Sequence, residues 1–234
     1  MKNIFDLGFG VIHSRKILKD TIEDTPELLA LLLKGGNILH IPTIDWTTSL
    51  VNGSVTQEPA RQLAFSSATA NSSALAYANT SGFNEGARYD YLSWNKKLYI
   101  IFNYARFTDN AEAVARVQLK SVNSIGALGD LGIGIRLDNL VLVGESYGTV
   151  LGELDLATTL TVTFVYQIVI VLDPSVPKIE WYVNGVLKGT QSTATKIPSG
   201  AGVATIALVN SVANGATAAG AYSIIMHPKI WQAR

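Results

Sequence analysis

The chain contains no cysteine among its 234 residues. Disulfides and thiol catalysis are thereby excluded, and the commonest structural zinc ligands are missing. Charge is scarce as well. Asp, Glu, Lys and Arg make up 15% of the chain, against roughly 25% in ordinary soluble domains. The 18 basic and 18 acidic residues cancel, so electrostatic capture of nucleic acid or of an anionic membrane is not the expected mode. A net charge near zero also does little to keep copies of a chain apart, which hints at assembly. The three histidines, His13, His40 and His227, are scattered and form no zinc-binding spacing. Long apolar runs are missing too. The longest, Leu28 to Leu33, has six residues, whereas a membrane span needs about 18. The first residues show no continuous apolar stretch followed by a small-residue cleavage site, so no secretory signal is expected.

What is present divides the chain in two. Residues 1–37 read as an arm with a short helix near 26–34. Thr25 suits the N-cap, Pro26 the first helical position, and Glu27 the positive helix end. Lys34 suits the negative end, and Gly35 can supply a left-handed stop. Leu28, Leu29, Leu31, Leu32 and Leu33 leave this helix almost without a polar face. It must be buried, either on the rest of the chain or on another subunit.

Residues 38–234 read as one all-β domain. Short strands are predicted over 62–68, 74–79, 89–93, 97–107, 113–122, 132–137, 139–143, 147–151, 161–172, 203–210 and 222–231. Gly, Asn, Asp and Pro punctuate them at a spacing typical of a sandwich or jelly roll. The stretch 179–190 adds a hairpin, with Asn184 and Gly185 at its tip. Both can take φ > 0, as a two-residue type I′ turn demands. Alternation places Trp181 and Val183 on one face of this hairpin, and Glu180 and Tyr182 on the other.

Tyr166-Gln-Ile-Val-Ile-Val-Leu-Asp173, followed by Lys178-Ile-Glu-Trp-Tyr-Val-Asn-Gly-Val-Leu-Lys-Gly-Thr190, resembles the late hairpin of concanavalin-A-like lectin and laminin-G-like domains. Tyr222 to Trp231 is similar to their closing strand, which usually pairs near the first. The resemblance implies an antiparallel β-sandwich of the concanavalin-A-like jelly-roll type, with the helical arm added in front. That sandwich hosts lectins, glycosidases, adhesion modules and viral structural domains, so it does not decide function.

Candidate chemistry is sparse. Calcium-dependent lectins carry a close Asp/Asn cluster, and none is evident. Asp109-Asn110 and Asp138-Asn139 read as turn residues. No cofactor or metal is therefore expected, and calcium lacks a ligand set. Glycosidases of this fold place paired carboxylates on one strand face. Glu145 and Glu153 are eight apart with two glycines between them, and Glu153 and Asp155 alternate within a loop-like Gly-Glu-Leu-Asp-Leu. The glycines of 129–134 precede a strand, whereas a dinucleotide fingerprint needs a helix there. Gly144-Glu-Ser146-Tyr-Gly148 spells a nucleophile elbow, but that motif needs a strand-to-helix turn. Trp46, Trp94, Trp181 and Trp231 could stack sugars, although sandwich tryptophans usually pack the core. Acceptor triplets for glycosylation begin at Asn52, Asn71 and Asn79, as chance provides in so Ser- and Asn-rich a chain.

These features point to a non-enzymatic structural subunit, expected in a virion as a decoration, turret, fibre-associated or minor coat protein. Its expected partners are further copies of itself or other shell proteins, reached through the leucine arm. The alternative is a carbohydrate-binding module of the cell surface or exterior whose partner is a glycan. A glycoside hydrolase or lyase is the third reading.

Overall fold

The computed structural model describes residues 37–40, 46–58, 61–66, 69–79, 92–106, 112–121, 127–162, 164–200, 207–216 and 220–233. Residues 1–36 of the arm with its five leucines, His13 among them, and Asp109-Asn110 and residues 89–91 lie outside them, while Asn37, the arm's last residue, begins the first strand.

The described residues are almost entirely β. The strands are β1 (Asn37–His40), β2 (Thr47–Val51), β3 (Gly53–Glu58), β4 (Arg61–Ser66), β5 (Ser73–Asn79), β6 (Leu98–Ala105), β7 (Val114–Lys120) and β8 (Gly132–Asp138). They continue with β9 (Val141–Tyr147), β10 (Leu151–Thr159), β11 (Val165–Asp173), β12 (Lys178–Val183), β13 (Val186–Gln191), β14 (Ala207–Ala213) and β15 (Ala221–Gln232). One sheet runs β13-β12-β11-β6-β15-β4-β3, with β1 on the same edge of β15 as β4. The other runs β10-β9-β8-β7-β14-β5-β2. Every pairing is antiparallel, and neighbouring strands are often distant in sequence, as in β6–β15 and β7–β14. This is a jelly-roll β-sandwich. The closing strand β15 does pair with the first, bringing Ile38 opposite Trp231.

The core lies between the sheets. From the first come Ile100, Phe102, Ile168, Ile170 and Trp181, and from the second Val117, Ile133, Ile135 and Leu142. Alternation therefore sends Trp181 and Val183 inward, as the sequence predicts. The Asn184-Gly185 turn has φ of 50° and 78°, the left-handed pair that a type I′ hairpin requires. Asn184 also secures the turn to β11. Its side-chain oxygen accepts from the Gln167 N–H at 2.9 Å, and its own N–H donates to the Gln167 carbonyl at 2.9 Å.

Two local expectations need correction. Residues 147–151 do not form a strand of their own. Residues 148–150 are the bend joining β9 to β10, where Thr149 and Val150 donate to the Thr195 carbonyl. Residues 92 and 93 are not strand either, because Ser93 starts the Trp94-Asn95 turn and its N–H is held by the Gln232 side chain.

Candidate functional site

The outer face of the β10–β2 sheet departs from the usual solvent-facing alternation. Arg116, Gln118 and Lys120 of β7 point away from the core, which takes Ala115, Val117 and Leu119. Across the next strands the register runs Gln118–Gly134–Glu145–Glu153. Gly134 leaves a gap in this row. A Cβ there would lie 2.3 Å from the Val117 carbonyl oxygen and 2.7 Å from the Gln118 Cα. Through that gap Gln118 reaches over β8 and donates its amide N–H to Glu145 Oε2 at 2.6 Å. Lys120 Nζ donates to Gln118 Oε1 at 2.8 Å, which orients the amide.

Glu145 is fully buried. Arg116 Nε donates to its Oε1 at 3.4 Å, and Arg136 Nη1 stands 3.6 Å from the same oxygen. Two guanidinium groups and an amide thus compensate a charge that would otherwise be costly to bury. Arg136 turns outward from there. Its Nη1 donates to Glu153 Oε1 at 2.5 Å, and its Nε lies 3.8 Å from Asp138 Oδ2. Lys120 is buried, and burial, reinforced by the nearby Arg116 charge, lowers its pKa to about 8.

One end of this network is closed and the other open. Gln118, Lys120 and Glu145 are buried, whereas Glu153 and Asp155 are exposed and Arg136 and Tyr147 are half-buried. Beyond β7, the same face turns apolar with Leu75, Tyr77, Ala207 and Val209. The accessible strip therefore lies on β8, β9 and β10.

The Gly-Glu-Leu-Asp-Leu stretch, read as loop-like from sequence, lies within β10. Glu153 faces Glu145 as its direct cross-strand partner. Such partners hold their Cβ atoms about 5 Å apart. Asp155 faces the same way but begins a bulge: its Oδ1 accepts from the Ala157 N–H at 2.7 Å, and Ala157 takes φ 47°. Ser146 lies buried on β9 with strand on both sides of the bend, so the elbow spelling has no helix to follow it. Asp138 ends β8, and Asn139 with Leu140 forms the positive-φ turn into β9. His227 sits exposed in a bulge of β15 at φ 49°. All four tryptophans are buried, Trp46, Trp94 and Trp181 in the main core and Trp231 in a smaller cluster, so none offers a sugar-stacking platform. Among the described residues no group of three or more His, Asp or Glu converges as metal ligands would. None of their helices is long and apolar enough to cross a membrane.

A depression of about 390 Å³ opens elsewhere, beside the Lys97–Asp173 ion pair of 3.0 Å, near Asn95, Lys96 and Ser175. Burial works to raise the Asp173 pKa, but hydrogen bonds from Ser175 and Lys97 outweigh it and hold the group below its ordinary value. Lys97 and Asp173 neutralise each other within its wall.

Sequence reasoning missed Arg116, Gln118 and Arg136. The signal available was the run of polar residues at alternate positions on β7 and β8, which reads as an ordinary solvated face.

The sequence matches no protein-family model and no curated protein. Solved structures do match in fold. The Bacillus licheniformis β-glucanase aligns with a TM-score of 0.54 at 12% identity, covering 85% of this chain and 99% of that one. The carbohydrate recognition domain of Emp47p gives 0.53 at 12% identity, covering 81% and 89%. The endo-β-1,4-glucuronan lyase of the fungus Trichoderma reesei gives 0.51 at 11% identity, covering 85% and 92%. These likenesses define the class of protein by architecture: a concanavalin-A-like jelly-roll sandwich. At such identities they establish the fold and nothing more specific. They do overturn one expectation. The missing catalytic signature points to a non-enzymatic role, yet structures of this same architecture include a glucanase and a lyase. Short sequence motifs do not express a polar network spread over four strands, as that of Arg116, Arg136, Glu145 and Glu153 is. The virion role gains no support from the fold or from these neighbours.

Proposed function

We propose that this protein binds carbohydrate on the outer face of the β10–β2 sheet, along the strip formed by Arg136, Tyr147, Glu153 and Asp155. One observation carries the reading. Arg136 and Glu153 present a donor and an acceptor to solvent, while the buried Gln118, Lys120 and Glu145, with the half-buried Arg116, fix them from behind. Binding sites pair a few rigidly placed polar groups with an aromatic surface, and the half-buried Tyr147 supplies the ring. The fold is compatible, being shared with a carbohydrate recognition domain.

The facing carboxylates favour a second reading, in which the bound glycan is also cleaved. Retaining glycosidases hold two carboxyl groups about 5–5.5 Å apart, and Glu145 and Glu153 are direct cross-strand partners. Of the two, Glu153 is the exposed carboxylate that meets substrate first, and Glu145 stands behind it, held by Gln118 and Arg116.

A glycan array and a panel of soluble polysaccharides, including β-1,3-1,4-glucan and β-1,4-glucuronan, test both readings with the full chain. Binding that is lost in Arg136→Ala supports the first. Turnover lost in Glu153→Gln with binding retained supports the second. Silence across the array and the panel would overturn both.

A further inference from the structure

The opposite outer face, that of the β13–β3 sheet, carries an apolar patch. Tyr99, Ile101, Val169, Val171 and Trp231 lie together on β6, β11 and β15, with Tyr99 and Trp231 edge to face at 5.3 Å. These side chains point away from the core, yet each is at most 8% exposed. Among the described residues, the partly buried apolar side chains packed on the patch are Tyr182 and Ala233. The indole N–H of Trp231 is buried and makes no hydrogen bond. A patch of this kind needs a cover.

We propose that the cover is the chain's own leucine-rich segment, Leu28–Leu33. Two observations select it over a second copy. The described chain begins at Asn37, which pairs with Gln232, the residue next to Trp231. The segment is thus tethered at the edge of the patch. The reach also fits. Three extended residues span about 10 Å, and Lys34 to Gly36 are three residues. From Trp231 over Tyr99 to Val171 are two strand spacings, or about 10 Å at the usual inter-strand distance. Six helical residues are about 9 Å long, a match to that width. Five leucines that need burial then meet five outward apolar side chains that need a cover, on the side of the sandwich away from the proposed glycan strip.

The absence of cysteine makes the test clean. In the full chain, Leu32→Cys is combined with Val169→Cys, or with Val143→Cys on the other sheet as a control, and mild oxidation is followed by non-reducing electrophoresis and peptide mass mapping. The expected result is an intramolecular disulfide that forms at least tenfold faster in the Val169 pair than in the control. A cross-linked dimer would assign the patch to a second copy and overturn the proposal, as would equal rates in the two pairs. In the full chain carrying Leu29→Asp and Leu32→Asp, tryptophan emission should shift to the red with the cooperative unfolding transition retained. Unchanged emission would count against the proposal. If that variant does not fold, the cross-linking rates decide alone.

Discussion

Trp181 donates its indole N–H to the carbonyl oxygen of Gly134 at 2.9 Å, a hydrogen bond that crosses the sandwich from one sheet to the other. The ring lies flat against Gly144, where a Cβ would sit 2.7 Å from Trp181 Cε2. The Gly134 that accepts this bond is also the gap through which Gln118 reaches Glu145. Core packing and the polar network are therefore joined at one backbone position. Gly144→Ala should force the indole aside and cost about 1–3 kcal/mol, as overpacking does. Trp181→Phe removes the bond and part of the ring and should cost a similar amount. Because both act on one contact, the double variant should lose less than the sum. Urea titration of the four chains measures this.

The two facing carboxylates should respond oppositely to removal. Glu145 is buried among Arg116, Gln118 and Arg136, so Glu145→Ala takes the acceptor from the Arg116 guanidinium and the buried Gln118 amide and should destabilise by about 3–5 kcal/mol, even though Arg136 keeps Glu153. Glu153 is largely exposed, and Glu153→Gln should cost less than about 1 kcal/mol. Thermal unfolding of the two variants distinguishes them, and a folded Glu153→Gln protein is what the binding and turnover assays need.

Lys120 makes stability depend on alkaline pH. Its pKa is about 8 in the fold against 10.5 ordinarily. Between those values the unfolded chain keeps a proton that the folded chain has released. Stability from this residue therefore rises with pH across that window, and its penalty is complete below about 8. Lys120→Met carries no such penalty, although it deprives Gln118 of a donor at every pH. The stability difference between variant and parent should thus move in the parent's favour by about 1–3 kcal/mol from pH 7.5 to 10.5. A difference that stays constant over that range would mean that the fold leaves the Lys120 pKa where it is in the unfolded chain.

At the hairpin tip, Gly185 has φ 78°. Gly185→Ala should destabilise by about 1 kcal/mol, from placing a Cβ in the left-handed region. Asn184→Ala should cost at least as much, because it also removes the acceptor for the Gln167 N–H. Denaturant midpoints of both variants check the pair.

The hairpin was the most legible part of the chain, because an Asn-Gly pair fixes its turn through local dihedral preferences alone. The inward face of β12 was legible too, since period-two alternation needs only the sequence. The site was not. Glu145 and Glu153 face each other only because residues 148–150 form the bend, and reading 147–151 as a strand concealed their register. Arg116, Gln118 and Lys120 alternate with Ala115, Val117 and Leu119 in the sequence, but the burial of Gln118 and Lys120 depends on strands and segments far away in sequence. The likeness to a glucanase and a lyase lies in architecture, which residue spacing alone does not express.

Carbohydrate binding at the β8–β10 strip is tested most directly by titrating a soluble β-1,3-1,4-glucan oligosaccharide, or whichever glycan leads the array, into the isotopically labelled full chain. Amide resonances are followed throughout. Binding at the strip predicts saturable shifts concentrated at Arg136, Tyr147 and Glu153 and abolished in Arg136→Ala. Shifts centred instead on Tyr182 and Trp231, or none with any glycan of the panel, would contradict it.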